Sequence, residues 1–323
     1  MDSYGVLSFL IILKEAIQLL PKNGKLMALV FLLSVLLSLI TYVAFAFSIV
    51  GLAEYMASAA KSLVPDPSSF DPSDPSSFAS DPSKLQNQID HIKQFLLVFY
   101  AVEIAFIFIF LIISFATTMA TILVAAASRV GNSLSIKDLL SRIGRTWTKP
   151  FLTSIYVAMH AFGFFAIIGL FAAPVVIYPN VVTILIAVSF AIVALFFYLY
   201  FLVIWALAIV VSVVEDGCYG MVAMGKASEL VKGQRLKGYM LTLPFFLLSL
   251  IMSVICQVIY RVKGPSNEVI YGLLIIVGFS CLLKILQVVA YTVFYFHCKK
   301  LHGEEPEIDI GVFKYELLPT TAK

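Results

Sequence analysis

Long apolar runs alternate along this chain with short stretches that carry its charges. Six runs are long enough to cross a bilayer as helices: 26–52, 95–127, 151–178, 181–214, 239–260 and 269–297. A crossing takes about 20 residues. As helices the second and fourth would reach about 50 Å, so they tilt strongly or project past a ~30 Å hydrocarbon core.

A second pattern sits before three of these runs. In 135–147, Ile136, Leu139, Leu140, Ile143 and Trp147 recur at spacings of three and four, which places them on one face of a helix. Lys137, Asp138, Ser141, Arg142 and Arg145 cover the other face. Ser135 followed by Asp138 predicts a capping-box start. In 9–20, Phe9, Leu10, Leu13, Ala16, Ile17 and Leu20 oppose Lys14, Glu15 and Gln18. The third such stretch is 219–231. Each runs into a basic, helix-breaking junction: Pro21-Lys22-Asn23-Gly24-Lys25, Thr148-Lys149-Pro150 and Lys232-Gly233-Gln234-Arg235-Leu236-Lys237.

The expected architecture is therefore all-α and integral to a membrane. It has six transmembrane helices in three parallel repeats, each preceded by an amphipathic helix in the cytoplasmic interface. Chance likeness among amphipathic segments is the alternative to a true repeat. The expected parts of this single membrane domain are an interfacial helix and junction at 1–25, a first hairpin at 26–127, a second repeat at 128–214, a third at 215–297, and a cytoplasmic tail at 298–323. Within the first hairpin, 53–94 is a disordered link on the luminal or outer side. Its Asp-Pro-Ser steps, as in Asp66-Pro67-Ser68-Ser69-Phe70 and Asp74-Pro75-Ser76-Ser77-Phe78, disfavour helix and bury little.

Composition agrees with lipid as the main solvent: 61% of residues are hydrophobic, 13% are charged, and mean hydropathy is +1.00. The placement of charge orients the chain. Sixteen Lys and Arg residues fall in the N-terminal segment, the links after the second and fourth runs, and the tail, against five in the other links. By the positive-inside rule both termini are cytoplasmic. No dense basic face exists outside these flanks, so nucleic acid is not an expected partner.

The four cysteines, Cys218, Cys256, Cys281 and Cys298, lie in or beside apolar runs and do not suggest a disulfide framework. Cys218 and Cys298 are juxtamembrane, open either to palmitoylation or to a role as small apolar packing residues. Within the runs the ionisable groups are Glu103, Lys284 and His160, joined by the polar Gln257 and Gln287. Intramembrane charges are costly and mark candidates for function. Glu103 and Lys284 suit either an ion pair or a polar path, with Gln287 and Tyr291 on the same helix face as Lys284. His160 reads first as a core histidine. No phosphate loop, His-Glu-x-x-His, paired carboxylates or Gly-x-Ser-x-Gly is present, so no catalytic residues, metal ligands or cofactor are assigned.

Several stretches resemble a family of uncharacterised plant polytopic membrane proteins. They are Leu13-Lys14-Glu15-Ala16-Ile17 with Leu20-Pro21-Lys22-Asn23-Gly24-Lys25, then Lys137-Asp138-Leu139-Leu140-Ser141, Val211-Ser212-Val213-Val214-Glu215, Gly225-Lys226-Ala227-Ser228-Glu229-Leu230-Val231-Lys232-Gly233, and Ala290-Tyr291-Thr292-Val293 through Cys298-Lys299-Lys300-Leu301-His302-Gly303-Glu304-Glu305. The layout is also distantly similar to the membrane domain attached to some bacterial glycerophosphodiester phosphodiesterases. The resemblance implies a plant source and an endoplasmic reticulum, secretory-pathway or plasma-membrane address. It supplies no site residues.

The reading of function is a non-enzymatic multi-pass protein that binds membrane lipids or partner membrane proteins. Lys14, Lys137, Arg142, Arg145 and Lys226 are the expected lipid contacts. A transporter or channel using Glu103, Lys284, Gln287 and His160 is the alternative, and an intramembrane lipid enzyme is the third.

Overall fold

The computed structural model describes residues 3–63, 82–131, 134–263 and 267–303. Among the described residues there are helices and turns and no strand. The helices are α1 (Ser3–Leu19), α2 (Gly24–Leu63), α3 (Pro82–Val130), α4 (Ile136–Thr146), α5 (Thr148–Ile177), α6 (Val181–Val214), α7 (Met221–Val231), α8 (Arg235–Lys263) and α9 (Asn267–Leu301). Six are long and apolar enough to cross a membrane, over Gly24–Ala44, Asp90–Val130, Thr148–Ile177, Val181–Val214, Arg235–Ile259 and Ile275–Leu301. A short helix precedes two long ones three times in this order: α1 before α2 and α3, α4 before α5 and α6, α7 before α8 and α9.

The element ends show what the pattern missed. Residues 53–63 and 82–94, read from the sequence as part of a link, are helical ends of α2 and α3. The rest of that link, 64–81, lies outside the described residues, as does the tail from 304. Thr148-Lys149-Pro150 is not a loop. Only Trp147 separates α4 from α5, in helical conformation, and Phe151 N–H still donates to its carbonyl at 3.1 Å. Pro150 is tolerated because the first turn of a helix has no intrahelical use for that N–H. Ser135 is the N-cap of α4 but its side chain makes no capping bond. The capping box forms instead at α6: Asn180 Oδ1 accepts from Thr183 N at 2.8 Å and Asn180 N donates to Thr183 Oγ1 at 3.2 Å. That box closes the α5–α6 turn.

The chain divides into two compact units, Met1–Leu33 with Phe115–Lys323, and Ser34–Ser114. In the larger unit one buried core gathers a single end of the helices. It takes Ile12, Ala16 and Leu19 from α1, Leu26, Met27 and Val30 from the first turns of α2, and Met119 to Ala126 from the last turns of α3. It adds Leu139 of α4, Leu207 to Val214 of α6, Ala223, Ala227, Leu230 and Val231 of α7, Leu241 of α8, and Val289 to Cys298 of α9. Away from this end the long helices expose large apolar side chains, among them Phe162, Leu170, Val176 and Val181. Water would not tolerate such a surface, and hydrocarbon would. In the smaller unit, Tyr55 stacks on Phe95 with ring centroids 3.7 Å apart, and α3 exposes Leu97, Ile104 and Phe108.

Candidate functional site

Glu215 is the centre of a cluster of polar side chains from three helices. It caps the C-terminus of α6 in extended conformation, where the helix's apolar run stops, and its N–H donates to Val211 O at 2.8 Å. The turn to α7 then folds it inward. Its side chain is 8% exposed, and Lys226 Nζ from α7 lies 2.6 Å from Oε2. From α9, Tyr295 OH donates to Oε1 at 2.5 Å and Lys299 Nζ donates to the same oxygen at 3.1 Å. Tyr295 and Lys299 are four residues apart, one face of a helix. Burial alone would raise the carboxyl's pKa, but the hydrogen bonds from Lys226, Tyr295 and Lys299 outweigh it and hold the group below the ordinary carboxylate value. Cys218 lies in the same turn. Burial, with Glu215 beside it, pushes its thiol up, the reverse of an activated nucleophile.

The same turn is tied to α5. Asp216 accepts from Lys149 Nζ at 2.6 Å, and Gly220 N donates to the fully buried Thr153 Oγ1 at 2.8 Å. Gly220 has φ +59°, a conformation that glycine adopts without strain. With three donors engaging the Glu215 carboxylate, the arrangement holds α6, α7 and α9 together at the core end. It offers no unengaged base.

A second polar group lies where α1, the end of α3, the start of α8 and the end of α9 meet. Asn23 Nδ2 donates to Ser128 Oγ at 2.8 Å. Arg129 Nη1 forms an ion pair with Glu15 Oε1 at 2.9 Å. The Arg129 guanidinium lies 5.2 Å from the centroid of the Phe296 ring. Arg129, Lys237, Lys300 and Glu15 all act electrostatically on the neighbouring His297.

The residues expected from sequence are spread over the molecule. Lys14, Lys137 and Arg145 are exposed, Arg142 is half-buried, and Lys226 is the partner of Glu215. Arg142, with Leu123, Ala126, Ala127, Leu134, Leu139 and Val214, lines a cavity of only about 10 Å³. Glu103 is buried in the smaller unit, and neither carboxylate oxygen has a hydrogen-bond partner. Lys284 and Gln287 are half-buried on α9 in the larger unit. Gln287 bonds to Tyr291, whose hydroxyl also meets Thr242 Oγ1 of α8 at 2.7 Å. His160 is not in the core as expected. It is exposed on α5, with its ring 5.1 Å from Phe201 and 6.1 Å from Trp205. Cys298 is fully buried and packs as a small apolar residue, while Cys218 is half-buried.

Residues 2–314 match a domain of unknown function, DUF8558. The chain belongs to the DUF8558 family. No curated protein and no solved structure matches it.

In this DUF8558 member, reasoning from the sequence missed the roles of Glu215, Tyr295 and Lys299. A signal existed. Glu215 directly ends an apolar run, and Tyr291, Tyr295 and Lys299 share one face of the last helix. That this carboxylate meets the Tyr295 phenol and the Lys299 ammonium, across 80 and 84 residues of chain, is not written in local periodicity.

Proposed function

We propose that this DUF8558 member is a non-enzymatic multi-pass protein of the plant endomembrane system. In this reading α1, α4 and α7 lie in the cytoplasmic interface as parts of three parallel repeats, and bind anionic lipid or partner membrane proteins. One observation carries the reading. Along α4 only Leu139 and Ile143 join the core, while Ile136, Leu140 and the adjoining Trp147 are 51%, 64% and 46% exposed, flanked by exposed Lys137 and Arg145. A helix that leaves half its apolar stripe uncovered, with cations beside it, matches the boundary between headgroups and acyl chains. On α1, Leu10, Ile11 and Ile17 are exposed beside Lys14. The exposed basic residues on this side, Lys14, Lys137 and Arg145 among them, would face an anionic leaflet, each contributing about 1 kcal/mol near the surface.

Trp147 supplies the test, since Trp205 is the only other tryptophan. In a Trp205→Phe background reconstituted with lipids brominated near the glycerol, Trp147 fluorescence should be strongly quenched. Quenching by an aqueous quencher instead, with no response to bromine, would reduce α4 to a cap on the bundle.

The unpartnered carboxylate of Glu103 favours a second reading, transport or conduction of a small molecule. A buried carboxyl group without a hydrogen-bond partner is costly and persists where function needs it. Glu103→Gln should then raise the melting temperature in detergent. A fall would show that the carboxylate supports the fold, and would count against this reading.

A further inference from the structure

We propose that Ser141 is a phosphorylation site, and that a phosphate there releases α4 from an anionic membrane surface. The proposal rests on the interfacial reading of α4 and adds its control. At about 100° per residue the helix has three sides. Leu139 and Ile143 face the core. Ile136, Leu140 and the adjoining Trp147 make the exposed apolar side. Lys137, Ser141 and Arg145, at spacings of four, form a row roughly opposite Leu139 and Ile143, and all three are exposed. Neither Lys137 nor Arg145 forms an ion pair among the described residues, so both charges are open to an anion.

The hydroxyl is as open as the two cations. Thr146 on the same helix donates to Arg142 O at 2.9 Å, and Ser128 and Ser154 likewise turn back on carbonyls four residues earlier. Ser141 makes no hydrogen bond among the described residues, so its Oγ is left to act as a nucleophile. The segment can also open to a kinase. Ser135 leaves the helix start without a side-chain cap, Gly144 is a poor helix former, and Leu139 is the one fully buried residue of α4. A helix with so few buried contacts opens locally at low cost. In the transfer, Ser141 Oγ bonds to the terminal phosphorus of a nucleoside triphosphate held by the kinase. The bond to the bridging oxygen breaks, the diphosphate leaves, and the hydroxyl proton passes to the kinase's base. Residues 135–147 carry Lys137, Arg142 and Arg145 against Asp138, a formal charge of +2. A phosphoserine adds about −2, which cancels it. Lys137 and Arg145 lie one turn to either side, within reach of the phosphate oxygens, so the charges that hold α4 to anionic lipid are consumed within the helix.

The test uses the full chain with Trp205→Phe, treated in detergent with MgATP and the catalytic domain of protein kinase A or protein kinase C. Modified protein is mapped by peptide mass spectrometry. It is then reconstituted in brominated phosphatidylcholine, with or without phosphatidylserine. Phosphate should enter Ser141, and Ser141→Ala should abolish incorporation into 135–148. In the anionic vesicles phosphorylation should lower the ratio of engaged to released α4 about tenfold or more, read as lost quenching of Trp147 by bromine. In phosphatidylcholine alone the ratio should stay within about twofold, because no surface charge is there to lose. Ser141→Glu should reproduce part of the loss, and needs no kinase. No incorporation at Ser141 by either kinase would overturn the site. Unchanged quenching in anionic vesicles, or an equal loss in both lipids, would overturn the release. If unmodified Trp147 is not quenched at all, the interfacial reading fails, whereas quenching that survives phosphorylation sinks this proposal alone.

Discussion

At the scale of residues, Glu215 is the position where one atom's loss should matter most. Lys299 is 6% exposed and faces Glu215 with Tyr295. Glu215→Gln leaves a buried ammonium without its counter-charge, a loss of about 3–5 kcal/mol. It should appear as a clearly lower melting temperature in detergent. Lys226→Met should cost less, about 1 kcal/mol, because that lysine is 28% exposed and partly solvated. The sign with pH follows from the direction of the shift. The folded carboxyl lies below its ordinary value of 4.5, so its stabilisation is complete above that value and is lost as pH falls through the folded value. Wild-type melting temperature should decline as pH drops below about 4.5, and Glu215→Gln should lack this share of the decline. A variant with wild-type stability and the same acid profile would remove Glu215 as the tie between α6, α7 and α9.

At the scale of elements, α4 separates two jobs that sequence periodicity merges. Leu139 and Leu140 are adjacent and both belong to the expected apolar face. Leu139 is 5% exposed and sits in the core, while Leu140 is 64% exposed. Leu139→Ala should cost about 2–4 kcal/mol through lost burial and a cavity. Leu140→Ala should change stability in detergent by less than about 0.5 kcal/mol, yet weaken membrane engagement of the helix. Melting curves in detergent and Trp147 quenching in bilayers read the two effects apart. Similar melting for both variants would show that α4 does not divide its face between core and lipid.

At the scale of the whole molecule, the alternation of charge predicts sidedness. Cysteines introduced into a cysteine-free chain at Ser135 and Asn180 should label from opposite sides of the membrane, with Ser135 on the cytoplasmic side. Labelling of both from one side would end the six-crossing topology. The sequence by itself determined that the chain is helical and lipid-embedded, because 61% apolar composition and six long runs leave no other way to satisfy the backbone. It also determined the order of short and long helices, since three-and-four periodicity and the turn residues after it are local properties. Helix ends were less legible. Residues 53–63 and 82–94 are polar enough to read as link, yet continue helices already nucleated in the apolar runs. Only the tertiary structure decided that one end of the bundle carries the core, and that Glu215 meets Lys226, Tyr295 and Lys299 there. It also placed His160 on the exposed surface of its helix. Such placements depend on which helix faces which, and a contact between residues some 80 positions apart leaves no trace in the periodicity of either segment.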